Sequence, residues 1–464
     1  VETGILDRAA TIVIFSHDLI QQAAYESMSP DERKSLHLRI GYFLGSSVDG
    51  SLAVESVSKV FGRLGLKDQV VHAGRNMTST HLSIACDQVN SAGPDSICDE
   101  NMLIKFATWN LQAAQSFSRQ SNFSAALYYY SNGIAFLGQG CWHLNYLLSF
   151  ELYQGAALSS FALGEAERVE EYAEKIIARV PFKESLTVQH LLLKTLGLAD
   201  RHEESISRGI DALNRLGFHI PPVPSNESIM IAMASTADMA SQYSSDQISS
   251  LCRQTKDDSA YAAVKIVDSI FASLYDTSSP LFPLIACEVV KFSLRNSCCL
   301  EAAMCFATYG FFRIYLADDY SGGKYWSDLA RKIILCNPNK NKSSECRCEI
   351  LLLNTIDAYF DSPTNVASKL ITCYNDSMKI GQVDIAMASL FQAWRCRLFG
   401  GHNLSLILQS FGDRLEPIAK ETKWVSKYMA LDAAILKGLT GKDIDCYSIY
   451  DESISCLDDL ISEA

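Results

Sequence analysis

Near the start of the chain, His17 and Asp18 form the first pair of side chains that could do chemistry. A His-Asp doublet serves metal-dependent phosphohydrolases, but that chemistry needs further His and Asp ligands on neighbouring helices. The other histidines (His37, His72, His81, His143, His190, His202, His219, His402) are scattered. The preferred reading is that Asp18 caps a helix and His17 packs or bonds locally. Gly438 to Asp443 contains a Gly-Lys pair. It lacks the first glycine of a phosphate-binding loop, and Asp443 stands where Ser or Thr would hold magnesium. Cys298-Cys299 is read as packing rather than as a redox pair. Of Tyr128-Tyr129-Tyr130, a peptide-binding role is weighed against filling a helix–helix seam with one ring left exposed. Asp318-Asp319 and Asp458-Asp459 read as helix-start charge or a solvated face. No Ser-His-Asp or Cys-His grouping emerges. The expectation is no catalytic residue, no metal site and no cofactor.

Composition narrows the class. Of 464 residues, 48% are hydrophobic and 20% charged, which fits a chain that buries much of itself. With 11 prolines and 25 glycines, disorder and turn-rich all-β folds are disfavoured. The net charge of −13, with no basic cluster, argues against nucleic acid as a partner. The 15 cysteines show no C-x-x-C spacing and many sit in apolar helical patterns. They read as reduced, buried small hydrophobes of a cytoplasmic protein. No apolar run reaches the ~18–20 residues of a membrane span. The first ten residues lack the pattern of a signal peptide.

The elements are predominantly helical. A β-type run, Thr11–Phe15, leads into a helix carrying Leu19, Ala23 and Met28 around Tyr25. Ser29-Pro30 is a turn and helix start, and a second helix carries Leu36, Ile40 and Leu44. From Ile104 the apolar spacing predicts helix pairs joined by short turns. Phe106, Trp109, Leu111, Ala113, Ala114 and Phe117 lie on one helix; Phe123, Ala126, Leu127, Tyr130, Ile134 and Leu137 lie on the next. Residues 146–163, with Leu147, Phe150, Leu152, Ala156, Ala157 and Phe161, pair with 166–180 across Gly164-Glu165. Residues 186–199 pair with a helix through Ser205, Ile206, Ile210 and Leu213. Aligning the turns makes Ala126, Val169 and Ser205 equivalent, at separations of about 43 and 36 residues, close to a helix-turn-helix repeat of roughly 34 with insertions.

Gly217 and the prolines at 221 and 222 end that block. The Ser-, Met- and Ala-rich stretch 225–258 is helical in part and the best candidate for a hinge. Beyond it, Leu281, Ile285, Val289 and Phe292 form one stripe, and helices are expected over 300–316, from Tyr320, and over 345–360, 363–380, 383–400 and 403–420. The organisation read from this is a junction element (1–80), a first block (81–222), a hinge (223–260) and a second block (261–464).

The opening unit resembles a signature of large signalling ATPases with an AAA-like core of the STAND type, often joined to Ser/Thr kinase-like, GAF and histidine kinase domains. The similarity rests on Phe15-Ser16-His17-Asp18, Gln21-Gln22-Ala23-Ala24-Tyr25, Arg33, and Leu36-His37-Leu38-Arg39-Ile40-Gly41. It continues through Asn110-Leu111-Gln112-Ala113-Ala114, then Trp142, Tyr146, Glu151-Leu152-Tyr153 and Gly164, then Leu216-Gly217 and Pro221, and more weakly through Pro283, Gly310 and Asp319-Tyr320. Asp87-Gln88-Val89-Asn90 departs from it, standing in place of a His-Leu-Asn run. The resemblance implies that the opening unit ends a winged-helix element following a nucleotide-binding core, and that Phe15, His17, Asp18, Gln22, Ala23, Tyr25, His37 and Gly41 are structural signature residues.

The expected fold is all-α, a TPR-like solenoid of helix pairs with a small winged-helix-like start. The expected function is a non-catalytic regulatory and protein-interaction module of a signalling ATPase or kinase, with protein partners or its own ATPase or kinase domains as ligands. The alternative is a helical enzyme with a site in the groove between its two halves.

Overall fold

The computed structural model describes residues 6–9, 12–15, 18–48, 77–138, 140–251, 258–296, 300–336, 342–407 and 409. Described elements are helical apart from one hairpin, and they divide into two compact units, Val1–Ala199 and Asp200–Ala464.

The first unit opens on β1 (Leu6–Ala9) and β2 (Ile12–Phe15), antiparallel with Leu6 opposite Phe15. Helix α1 (Asp18–Glu26) follows, then α2 (Pro30–Val48). Ser29 starts α2 as the Ser-Pro pair predicts. Its N–H and hydroxyl both donate to Glu32 Oε2 at 2.8 Å, and the Glu32 N–H returns to Ser29 Oγ. This is a capping box with proline at the first helical position, where no amide is missed. Helix α3 (Met77–Ala92) packs on α2, and α4 (Glu100–Arg119) on α3. Then α5 (Phe123–Leu137), α6 (Tyr146–Ala162), α7 (Ala166–Ile177) and α8 (Phe182–Leu198) each pack on the helix before them. Phe106, Trp109, Ala114, Ala126, Leu152, Ala156 and Ile176 lie in one continuous core. Two apolar stripes are less buried than their spacing predicts. Leu147 is 71% exposed, at the start of α6, and of the α2 stripe Leu36 and Ile40 are exposed while Leu44, one turn further on, is buried.

The helix pairs are closed by one recurring turn. A residue in the left-handed region stands at Ser121 (φ 59°), Gly164 (73°), Asp200 (60°), Asp318 (50°) and Gly381 (73°). After Ser121, Gly164 and Gly381 the next amide reaches back across the turn, Asn122 to Phe117 O, Glu165 to Ser160 O and Gln382 to Ser377 O, which satisfies a terminal carbonyl. Five residues after each left-handed position stands a buried Ala126, Val169, Ser205, Gly323 or Ala386, bonded to the carbonyl that begins its helix. The three positions aligned from sequence are therefore geometrically equivalent, and two more belong with them.

The second unit contains α9 (His202–Arg215), α10 (Asn226–Ser241), α11 (Ser245–Leu251), α12 (Asp258–Asp276), α13 (Leu281–Asn296), α14 (Ala303–Ala317), α15 (Tyr320–Cys336), α16 (Lys342–Thr355), α17 (Pro363–Lys379) and α18 (Val383–Phe399). Its packing is less strictly sequential: α9 lies on α12 and α10 on α13. Within the stretch read as a hinge, 226–241 and 245–251 are helices that bury Ile229, Met233 and Ile248. Tyr309 of α14 donates from its buried hydroxyl to Met233 O of α10 at 2.8 Å. Most of the helix expected over 403–420 lies outside the described residues.

Candidate functional site

Four consecutive residues of α3 organise the first unit. Successive side chains on a helix point about 100° apart, so four in a row sweep its whole circumference. Asp87, Gln88, Val89 and Asn90 use that geometry to reach three other helices. Gln88 Oε1 lies 2.8 Å from His37 Nδ1 on α2. Val89 packs against Gly41, where an added Cβ would lie 2.6 Å from Val89 Cγ1 and 2.9 Å from Ala85 O. Asp87 accepts from the Tyr129 hydroxyl of α5 at 2.8 Å. Asn90 and Asn110 of α4 exchange amide hydrogen bonds, both 2.9 Å, and Asn110 Nδ2 also donates to Phe106 O. Asn110 is fully buried, so this closed pair satisfies polar atoms that would otherwise be costly.

Three of the signature residues, Tyr25, His37 and Gly41, lie at the same junction. The Tyr25 hydroxyl lies 2.8 Å from His37 Nε2, and the two rings meet edge to face at 5.7 Å. Gln88 Oε1 can only accept, so His37 donates from Nδ1 in that contact. The Arg33 guanidinium lies 4.9 Å over the Tyr25 ring and donates to Glu26 O and Met28 O, closing the α1–α2 turn. Gln22 stays within α1, bonding Glu26 at 2.8 Å, and Ala23 O accepts from the Ser27 N–H. Phe15 ends β2 and Asp18 begins α1, whereas His17 lies outside the described residues, as do Cys298-Cys299, Asp458-Asp459 and the loop at 438–443.

Electrostatics follows burial. Burial raises the Asp87 carboxyl, against the opposing effect of the bond from Tyr129. Burial and the Asp87 bond together push the Tyr129 hydroxyl well up. The Cys86 thiol is raised by burial and by Asp87 beside it. Cys287 is pushed up to about 12 and Cys373 to about 11, burial being the main cause in both. Thiols held protonated in this way are poor nucleophiles and poor metal ligands. Among the described residues no group of three His, Cys, Asp or Glu is placed to hold a metal ion.

The tyrosine triplet is as the sequence predicts: Tyr129 and Tyr130 are buried and Tyr128 is 47% exposed. Trp142, Tyr146 and Tyr153 of the second signature run form one aromatic cluster. Trp142 stacks on Tyr153 at 5.3 Å, Tyr153 meets Tyr172 edge to face at 6.0 Å, and Tyr146 donates to Glu184 at 2.7 Å. In the second unit Asp319 begins α15. It accepts from the Gly322 N–H at 2.8 Å and pairs with Arg313, and these bonds hold its carboxyl below the usual range although burial opposes them.

Sequence reasoning missed the hub itself. The segment 87–90 attracts notice in sequence as a departure from the signature, and its polar residues on a half-apolar helix are the signal that could have found it. Comparison with protein-family models, curated proteins and solved structures gives no match.

Proposed function

We propose that this chain is a non-catalytic regulatory and protein-interaction module, a TPR-like array of helix pairs with a winged-helix-like start, belonging to a cytoplasmic multidomain signalling ATPase of the STAND type. The observation that carries this reading is the convergence of Tyr25, Arg33, His37 and Gly41 on one junction between α1, α2 and α3. Tyr25 touches both Arg33 and His37, and His37 and Gly41 both reach α3, which supports the reading without covering the other signature residues. The recurring turn supports the repeat reading, because in the first unit it joins α4 to α5 and α6 to α7, and each of these pairs packs together. The buried free thiols of Cys86, Cys287, Cys346, Cys348 and Cys373 fit a reducing compartment. Among the described residues no helix is long and apolar enough to cross a membrane. The ligands proposed are proteins, including the ATPase domain itself, and the acidic balance disfavours nucleic acid.

Two experiments test this. The coding sequence upstream of Val1 should specify a phosphate-binding loop within roughly 300–400 residues, about two domains; its absence overturns the ATPase assignment. Calorimetric titration of this chain with Mg-ATP should show no binding, and micromolar binding would return the enzyme reading to first place.

A further inference from the structure

The second unit carries a set of half-exposed aromatic rings on a rigidly held turn. Tyr320 stands in the first turn of α15, and Tyr359 ends a single 3₁₀ turn (Asp357–Tyr359) between α16 and α17. Their rings meet edge to face with centroids 5.5 Å apart. Phe360 comes next in the chain, and the Lys324 ammonium, one turn along α15 from Tyr320, lies 6.0 Å from its ring centroid. The three rings are 44%, 54% and 45% exposed. The turn beneath them is tied down. Buried Asp357 accepts from Arg331 at 2.8 and 3.2 Å, Arg331 is itself held by Glu349, and the amides of Phe360 and Asp361 both bond Asp357 O at 2.9 Å. Rings presented on so fixed a turn lose little freedom when a ligand arrives.

We infer that Tyr320, Tyr359 and Phe360 dock a proline-rich segment of a partner protein in the polyproline II conformation. This site rests on the protein-interaction reading above and not on the ATPase assignment. A polyproline II segment makes no internal hydrogen bonds, so its carbonyls call for donors, and its proline rings call for flat apolar faces. A tyrosine supplies both. Neither the Tyr320 nor the Tyr359 hydroxyl has a hydrogen-bond partner among the described residues, so each can donate beside its own ring. Charge narrows the choice further. Lys324 over Phe360 repels a second cation, which disfavours an ammonium ligand. Asp318 stands within two residues of Tyr320 and Asp361 adjoins Phe360, which disfavours a phosphorylated one. An added strand needs an open sheet edge, and the second unit has none among its described residues. A partner helix satisfies its own carbonyls and would leave both hydroxyls without acceptors.

Selection of random peptides displayed on phage against the full chain tests the site. Enriched sequences should carry spaced prolines, and a labelled peptide of that consensus should bind in fluorescence anisotropy titrations. Tyr320→Ala and Tyr359→Ala should each weaken it about tenfold. Tyr359→Phe keeps the ring and should weaken it about fivefold, the factor expected for one hydrogen bond. Leu335→Ala, an exposed apolar residue at the far end of α15, should bind as the parent does. Circular dichroism melts of each variant should match the parent. Enrichment of proline-free sequences, or binding that survives both tyrosine-to-alanine variants, overturns this site and leaves the interaction reading in place. No enrichment also overturns the site, and the interaction reading is tested apart from it by the Mg-ATP titration.

Discussion

Tyr129 donates its hydroxyl to Asp87 across 2.8 Å, joining α5 to α3 over a gap of 42 residues in sequence. The carboxylate gains that bond but loses water, and the loss is the larger effect, since its pKa is raised. A carboxyl raised in the folded state contributes stability below its unfolded pKa, near 3.9. That stability is lost as pH rises through the folded value. Asp87→Asn keeps an acceptor for Tyr129 and removes the charge. It should be at least as stable as the parent at pH 7, and thermal melts between pH 4 and 7 should lose the part of the slope due to this group. Tyr129→Phe leaves the carboxylate without its donor and should cost about 1–3 kcal/mol at pH 7 by urea unfolding.

Gly41 sits where a Cβ would meet backbone, Ala85 O and Val89 N both at 2.9 Å. Backbone cannot rotate aside as a side chain can. Gly41→Ala should force α2 away from α3 and cost about 1–3 kcal/mol, the usual range for overpacking. Circular dichroism melts of this variant beside Gly93→Ala separate two causes. Gly93 has open space around it but φ 75°, so that variant suffers only from backbone strain.

In the second unit, Arg331 bridges Glu349 at 3.0 Å and the buried Asp357 at 2.8 Å, and also donates to Ser327. Burial works against the guanidinium charge, but the bonds it donates to Glu349 and Asp357 outweigh that and raise its pKa. Arg331→Met leaves Asp357, whose side chain is only 5% exposed, with Lys369 at 4.0 Å as its remaining cation and should cost about 3 kcal/mol. Replacing both, as Arg331→Met with Asp357→Leu, should recover part of that loss. A double variant no more stable than Arg331→Met would show that the network does more than neutralise a buried charge.

Thiol labelling checks the cysteine reading peptide by peptide. Cys98 is exposed, whereas Cys86, Cys287, Cys348 and Cys373 are buried with thiols held protonated. Iodoacetamide at pH 8 should label Cys98 within minutes and leave those four unlabelled until denaturant is added. Early labelling of Cys86 or Cys348 would contradict the packing described.

Much of the helical framework is legible in the residues, because apolar spacing and turn chemistry agree. Asn122, Glu165 and Arg201 begin helices where the spacing predicts, and Tyr128 is the exposed ring of its triplet. Spacing fails where a helix end leaves its neighbour. Leu147 belongs to the apolar period of α6 but stands in its first turn, in solvent. Over 225–258, read from composition as helical in part, Ser225 accepts from the Ser228 N–H to cap α10, so serine here promotes a helix. The hub at 87–90 is invisible to periodicity, which registers the apolar face of α3 and has nothing to say about polar side chains that find partners 20 to 51 residues away.

The order of packing has a kinetic consequence. In the first unit each helix from α4 to α8 rests on the one synthesised just before it, so its contacts are local in sequence and cheap in loop entropy. In the second unit α9 must wait for α12, and α10 for α13. The first unit is therefore expected to acquire structure progressively on the ribosome, whereas the second starts only once α12 has emerged. A force profile along the nascent chain should rise in small increments before residue 199 and should show no comparable rise until α12 has emerged.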